Sequence, residues 1–207
     1  MIQSIEEILR KQGQRMQQTS SSVSQRQTNQ LAAEYGTLER FLQTFNPDVQ
    51  SVMSGNLEQC FYGDFPTLAS VKAAFGSNAP AMWLVPQLYN LSEFCGCREK
   101  LQGAPLEECA RVIATEFYYL KVSELMLFFH RFKTGRYGRF YGSVDPLVIT
   151  TSLREFIRER NNELFIHEQK IREQKEMEER KNAISYEEYI RRSRHGEVSG
   201  KADDTVG

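Results

Sequence analysis

Long apolar runs, an excess of one charge and most catalytic histidine patterns are missing from this sequence. No apolar run approaches the roughly 18 residues that a membrane-spanning helix needs. The 207 residues carry 26 lysines and arginines against 27 acids, a formal net charge of -1, which excludes a protein that is basic over its whole surface. The hydrophobic share of 40% and the charged share of 26% are ordinary for a globular protein and exclude a wholly disordered or fibrous chain.

Residues that would carry enzymatic chemistry are scarce. None of the three histidines has Glu three residues before it, so the Glu-x-x-His pattern of di-iron helical bundles is absent. No Walker A loop and no Gly-x-Ser-x-Gly nucleophile elbow occurs. We therefore predict a protein that is not an enzyme and has no cofactor.

Four cysteines are present, and three of them form the only cluster that resembles a metal site. Cys95 and Cys97 are separated by one residue, whereas structural zinc favours pairs two to four residues apart and four ligands in all. We interpret Cys95, Cys97 and Cys109 as small residues at a helix end and in a helix core, and we predict no metal. Residues 1–11 are amphipathic and contain acids, unlike a signal peptide, so we expect a cytoplasmic protein with free thiols and no membrane contact.

Apolar residues at helical spacing predict an all-α, irregular fold around one central buried helix. The pattern predicts helices over residues 31–45, 68–75, 80–94, 105–133 and 146–183, with a short turn over 47–53, irregular structure over 54–66 and a kink or split at Pro86. In the helix over 105–133 the apolar stripe widens until it nearly surrounds the helix, which is typical of a buried central element. The predicted core includes Trp83, Phe117, Leu120 and Phe128.

Composition also divides the chain. For residues 1–30 we predict a short helix, which begins with a Ser4-x-x-Glu7 capping box, followed by a flexible Gln/Ser-rich linker. Residues 31–165 form the predicted helical core domain. Residues 166–195 form a charged C-terminal helical extension, in which the end of the long last helix is exposed and a further short helix follows. Residues 196–207 are a predicted disordered tail.

The segment over residues 128–142 stands out because basic, aromatic and glycine residues alternate there. Four basic residues and no acid lie between positions 130 and 140. Arginine and exposed rings together hold phosphates and stack bases, and they also dominate protein hot spots. The candidate nucleic-acid-binding or partner-binding residues are therefore Arg131, Lys133, Arg136, Tyr137, Arg139 and Tyr141, with the three arginines projecting to one side.

A structural interpretation of the same segment stays open beside the functional one. In it, the segment is a tight connection between two core helices, its aromatic rings pack inward and its arginines pair with local acids. Glu124 has two interpretations as well. It is either a carboxylate paired with Lys121 or an arginine, or a functional buried acid with a raised pKa.

Several strings in the chain are distinctive: Thr67-Leu68, Phe75-Gly76, Trp83-Leu84, the run Leu91 to Gly96, and the long run Ser123 to Pro146. Through them, residues 67–160 resemble a family of small uncharacterised proteins of Bacteroidota that are common on prophages and other mobile elements. The resemblance implies a genomic setting and no mechanism. The layout of helical body, basic loop and charged helical tail is also similar to phage helicase loaders, as a fold-level analogy only.

Two functions follow as expectations. The first is a non-enzymatic accessory protein of a phage or mobile element, a DNA-replication adaptor or helicase-loader-like factor that contacts DNA or a replicative helicase. The alternative is a protein-interaction or regulatory module without nucleic-acid contact, which the near-neutral charge favours. The dependence of binding on salt separates the two, because contacts to phosphate weaken steeply as salt rises.

Overall fold

The computed structural model describes residues 31–182 and 190–191, and these are mainly helical. Besides a helical stretch over residues 31–35, the described chain contains α1 (Leu38–Thr44), α2 (Gln50–Ser54), α3 (Leu57–Tyr62), α4 (Leu68–Phe75), α5 (Ala79–Cys95), α6 (Gly103–Glu116), α7 (Val122–Lys133) and α8 (Pro146–Asn182). Pairing of β type within this region is limited to two isolated bridges, Thr67 with Lys121 and Glu99 with Ser143. The predicted all-α class is confirmed.

Helix starts encoded by local sequence form as predicted. The Thr67 hydroxyl accepts a hydrogen bond from the Ser70 amide at 3.1 Å and caps α4. A carboxylate oxygen of Asp145 accepts one from the Leu147 amide at 2.8 Å, and α8 begins at Pro146. Pro86 lies inside α5 without splitting it into two helices.

Two predictions near the start of the described region are wrong. The expected helix over 31–45 is interrupted at Gly36, which has a φ of 68°, and α1 begins after it. This left-handed conformation is open to glycine at little cost and ends the first helical stretch. Residues 54–66, expected to be irregular, contain α3, whose N-terminus is capped by Asn56 through a 3.0 Å bond from the Gln59 amide.

The predicted single helix over 105–133 is also wrong, because the chain breaks between α6 and α7. Carbonyl oxygens in the break accept bonds from the first amides of α4: Leu68 donates to Leu120 at 3.0 Å and Ala69 donates to Tyr118 at 2.8 Å. The Val122 amide donates to the Pro66 carbonyl at 2.9 Å. These partners lie about fifty residues away in sequence, so helical periodicity in the 105–133 segment does not reveal them.

The central buried element is α7, and it lies in the half of the predicted long helix that follows the break. Ten of its twelve residues are buried, including Glu124 and Arg131. The four residues predicted for the core, Trp83, Phe117, Leu120 and Phe128, are all buried as expected.

The chain divides into two compact units, one up to Arg158 and one from Glu159 onward. In the first unit, the start of α8 contributes Ile149, Leu153 and Phe156 to the core. In the second unit, residues 168–181 are exposed, as predicted for the charged end of this helix. None of the helices within 31–182 and 190–191 is long and apolar enough to cross a membrane. The predicted segments over 1–30 and 196–207, and most of the short helix near 185–195, lie outside the described residues.

Candidate binding loop

Residues 134–145, here called the basic loop, connect α7 to α8. Thr134 caps the end of α7, and Gly135 follows with a φ of 82°, as expected of the glycine predicted to stop this helix. Within the loop, the conformation of Gly138, with a φ of 95°, is one that residues with a Cβ rarely adopt. The backbone of the loop therefore changes direction at Gly135 and Gly138.

Two aromatic residues fasten the loop to the central helix. Tyr137 is buried, and its ring centroid lies 5.6 Å from that of Phe128 and 6.1 Å from that of Phe132. Phe140 stacks on Phe132 with centroids 5.1 Å apart and an interplanar angle of 17°. Offset contacts of this kind add about 0.5–1.5 kcal/mol each beyond the burial of area.

The backbone provides a second attachment, to the segment that follows α5. The Glu99 amide donates to the Gly142 carbonyl at 3.1 Å, and the Val144 amide donates to the Glu99 carbonyl at 3.1 Å. The Val144 side chain is buried. The loop is therefore anchored at Tyr137, at Phe140 and at residues 142–144.

Two of the predicted site residues belong to α7 and lie against the fold. Arg131 is 8% exposed, and its guanidinium carbon lies 5.8 Å from the centre of the Phe156 ring. Lys133 is half-buried; its ammonium group donates to the Asn90 amide oxygen and lies 5.8 Å from the centre of the Phe94 ring. Burial lowers the pKa of Lys133, because leaving water disfavours the charged form.

The basic loop presents three of the predicted residues to solvent: Arg136, Arg139 and Tyr141. Tyr141 is 89% exposed. The prediction that Arg131 projects outward with Arg136 and Arg139 is wrong, since on a helix that is buried on nearly all sides Arg131 keeps only 8% of its surface exposed. Tyr137 is likewise buried rather than available for stacking. Arg131, Arg136 and Tyr137 each interact with other groups of the chain.

One expectation for Glu124 was a pair with Lys121 or with an arginine, and the structure shows a bond to the backbone amide of Lys121. Glu124 is fully buried, and its carboxylate accepts a 2.9 Å bond from the backbone amide of Lys121, which closes the N-terminus of α7. The Lys121 ammonium donates to the carbonyls of Phe61 at 3.0 Å and Gly63 at 2.8 Å, at the end of α3. Lys121 thus joins the start of α7 to the end of α3.

The cysteines differ in their surroundings. Cys60 and Cys109 are buried, Cys95 and Cys97 are half-buried, and all four are free thiols, as predicted. The Cys60 thiol donates to the Ser123 carbonyl at 3.2 Å, and burial raises its pKa to about 12. Across the described residues, no group of three or more Cys, His, Asp or Glu side chains is arranged to hold a metal ion.

Sequence reasoning missed Asn90 and Phe94 of α5, which contact Lys133, and Glu99, whose backbone bonds to the basic loop. Glu99 contributes through its backbone, which no side-chain pattern encodes. Phe94 carries a weak signal, because it is a large apolar residue near the predicted end of a helix and is 61% exposed in the structure.

Residues 100–199 match the model of a family described as a family of unknown function (DUF6633). The matched region includes α7, the basic loop and α8. No curated protein and no solved structure matches the chain. The part of the protein that carries the basic loop is therefore similar to an uncharacterised family, as the resemblance in the sequence implies. The match does not extend to the organisms or the genomic setting of that resemblance.

Proposed function

We propose that this chain is a non-enzymatic binding protein and that a protein partner docks on Arg139 and Tyr141 of the basic loop. The observation that supports this is that Tyr141 is 89% exposed, while the residue directly before it in the loop, Phe140, stacks on Phe132 in the core. A backbone that is held in place before binding loses little further freedom when a partner covers the side chain it carries. Tyrosine and arginine are also the residues that most often dominate protein interfaces.

The charges around the loop favour a protein over a phosphate backbone. Lys133 and Arg131 lie against the fold, so fewer cations face solvent than the sequence indicates. The exposed acids Glu99 and Asp145 flank the region and would repel phosphates. Leu147, 73% exposed at the start of α8, adds an apolar contact close in sequence to Tyr141.

Nucleic acid is the second candidate, and the exposure of Arg136 and Arg139 beside Tyr141 favours it. Two arginines that contact phosphates and one ring that stacks on a base are a minimal single-strand site. In the prophage or mobile-element setting that the sequence resemblance implies, such a site would serve a DNA-replication adaptor or helicase-loader-like factor.

Affinity for DNA across a salt series separates the two candidates. Fluorescence anisotropy with labelled single- and double-stranded oligonucleotides gives the observed binding constant at each salt concentration. Two phosphate contacts predict a slope of log affinity against log salt of about -1.4 to -1.8. Arg136→Gln together with Arg139→Gln should abolish that slope. A wild-type protein without measurable affinity for either oligonucleotide excludes the nucleic-acid candidate.

Site-specific photocrosslinking tests the protein candidate. A photoreactive phenylalanine analogue at position 141 should trap one partner in cells, whereas the same analogue at position 118, where Tyr118 is 57% exposed, should not. With the trapped partner purified, Tyr141→Ala should weaken binding by at least about 30-fold, the effect of a hot-spot residue, and Tyr118→Ala should leave it unchanged. Equal loss in both variants would refute a role for this face of the loop.

A further inference from the structure

A pair of thiols lies next to the point where the basic loop is attached. Cys95 is the last residue of α5, and Cys97 follows after Gly96; both are half-buried free thiols. Two residues further along, the backbone of Glu99 bonds to Gly142 and Val144 of the loop. The thiols and the loop attachment therefore share one short stretch of chain.

The backbone holds the two thiols within the span of a disulfide. Gly96 has a left-handed conformation, with φ 63° and ψ 19°. A helical turn of either hand separates Cα atoms two residues apart by about 5.4 Å, given a radius of 2.3 Å and a rise of 1.5 Å per residue. Disulfides need a Cα separation of about 4.4–6.8 Å.

We propose that Cys95 and Cys97 form a redox modification site, a dithiol that glutathione disulfide or a similar small disulfide converts into an intramolecular disulfide, and that this bond loosens the attachment of the basic loop at Glu99. A disulfide fixes the two Cβ atoms at about 3.8 Å and so constrains the backbone of Cys97 at the end of α5. This constraint lies two residues from Glu99. The disulfide and its effect on the loop do not depend on the function proposed above; only an effect of the disulfide on partner binding would rest on that function.

The exchange proceeds in two balanced steps. The Cys97 thiolate attacks one sulfur of glutathione disulfide, which forms a mixed disulfide and releases one glutathione thiolate. The Cys95 thiolate then attacks the Cys97 sulfur, the intramolecular bond forms, and the second glutathione thiolate leaves. The two released thiolates take up the two protons that the cysteines lost, so the products are one protein disulfide and two molecules of glutathione.

The surroundings of Cys95 reduce its thiolate fraction but do not prevent the second step. Burial and the neighbouring Cys97 raise the pKa of Cys95, while the Lys133 ammonium opposes this rise by favouring the thiolate. An intramolecular attack tolerates a small thiolate fraction, because the effective concentration of the mixed disulfide is high. Cys60 and Cys109 provide matched controls, since burial raises their pKa values to about 12 and about 11.

The test uses the full chain and glutathione disulfide as the oxidant. After oxidation, free thiols are alkylated and the peptides are identified by mass spectrometry. We expect Cys95 and Cys97 to be joined to each other by a disulfide, and we expect Cys60 and Cys109 to be found alkylated because they were still free thiols. Cys95→Ser should stop the reaction at a glutathione adduct on Cys97, and Cys109→Ser should not change it. If Cys95 and Cys97 are alkylated as fully as Cys109 after oxidation, the proposed site is refuted.

Hydrogen exchange measures the effect on the loop without any partner. The Val144 amide, which donates to the Glu99 carbonyl, should exchange at least several-fold faster in the oxidised chain, while the Leu125 amide within α7 keeps its rate. A disulfide that forms and leaves exchange at Val144 unchanged refutes control of the loop. Failure of the reduced chain to bind a partner would count against the proposed function alone, since neither measurement here depends on binding.

Discussion

Phe128 is the side chain on which the central helix, the basic loop and α8 meet, and replacing it by alanine tests that arrangement. It is fully buried, and its ring centroid lies 5.3 Å from Phe129, 5.6 Å from Tyr137 and 5.7 Å from Phe156. A buried Phe→Ala change costs about 3–5 kcal/mol through lost burial and the cavity left behind. For a chain of this size, each kcal/mol shifts the Tm by about 2–4 °C, so Phe128→Ala should lower it by about 6–20 °C.

Urea unfolding followed by far-ultraviolet circular dichroism gives the free energy of unfolding of Phe128→Ala. Tyr141→Ala is the matched aromatic control: Tyr141 is 89% exposed, so its loss should change the free energy by less than about 0.5 kcal/mol. Because Tyr137 rests on Phe128, exchange at the loop amides should also quicken in Phe128→Ala and not in the control. A loss below about 1 kcal/mol would refute the central position of α7 and the anchoring of the loop on it.

Three further predictions concern other parts of the chain. Lys121→Met leaves the carbonyls at the end of α3 without their charged donor, and urea unfolding should show a loss of about 1.5–3 kcal/mol; a neutral effect would mean that water replaces the ammonium at no cost. The raised pKa of Cys60 means that between pH 9 and about 12 the unfolded chain releases a thiol proton that the folded chain retains, so stability falls as pH rises. Cys60→Ala should flatten that fall by up to about 1.4 kcal/mol per pH unit, measured as unfolding free energy against pH, and an unchanged slope would show that Cys60 ionises equally in both states. Amides over residues 168–181 should exchange much faster than those over residues 122–132, because the former are exposed on all sides; equal protection would indicate that the charged end of α8 is covered in solution.

The elements that the sequence predicts well are those whose signals are local. Thr67 caps α4 and Asp145 precedes the proline that begins α8, and both helices start where these residues predict. The all-round apolar pattern near Phe128 likewise identifies the buried helix. Each of these signals lies within a few residues of the feature that it predicts, so no knowledge of the tertiary fold is needed.

The break between α6 and α7 shows why other elements are missed. Residues 117–121 continue the apolar periodicity of a helix, yet the carbonyls of Tyr118 and Leu120 bond to the first amides of α4. Those amides have no partner within their own helix, so the pairing satisfies groups that helix formation leaves open. A continuous helix would need hydrogen bonds between residues four apart, whereas the bonds that form here join residues about fifty positions apart. Periodicity reports only the first kind, so it predicts the wrong structure for residues 117–121.

The placement of Arg131 follows from a signal that the sequence does contain. Arg131 comes three residues after Phe128 and four after Leu127, on a helix predicted to be apolar on nearly every side. A charged residue on such a helix is buried with partners or the helix is not central. The apolar pattern around Arg131 therefore favours a buried guanidinium, and the basic character of the segment alone does not make this side chain exposed.

Within the basic loop, the structural interpretation holds for some residues, and the proposed function concerns others. Tyr137 and Phe140 pack on the core as a tight connection requires, while Arg139 and Tyr141, which flank Phe140, face solvent. The anchored ring of Phe140 fixes the backbone between Arg139 and Tyr141. The inward rings are consistent with the proposed binding role, since they fix the backbone on either side of which Arg139 and Tyr141 are exposed.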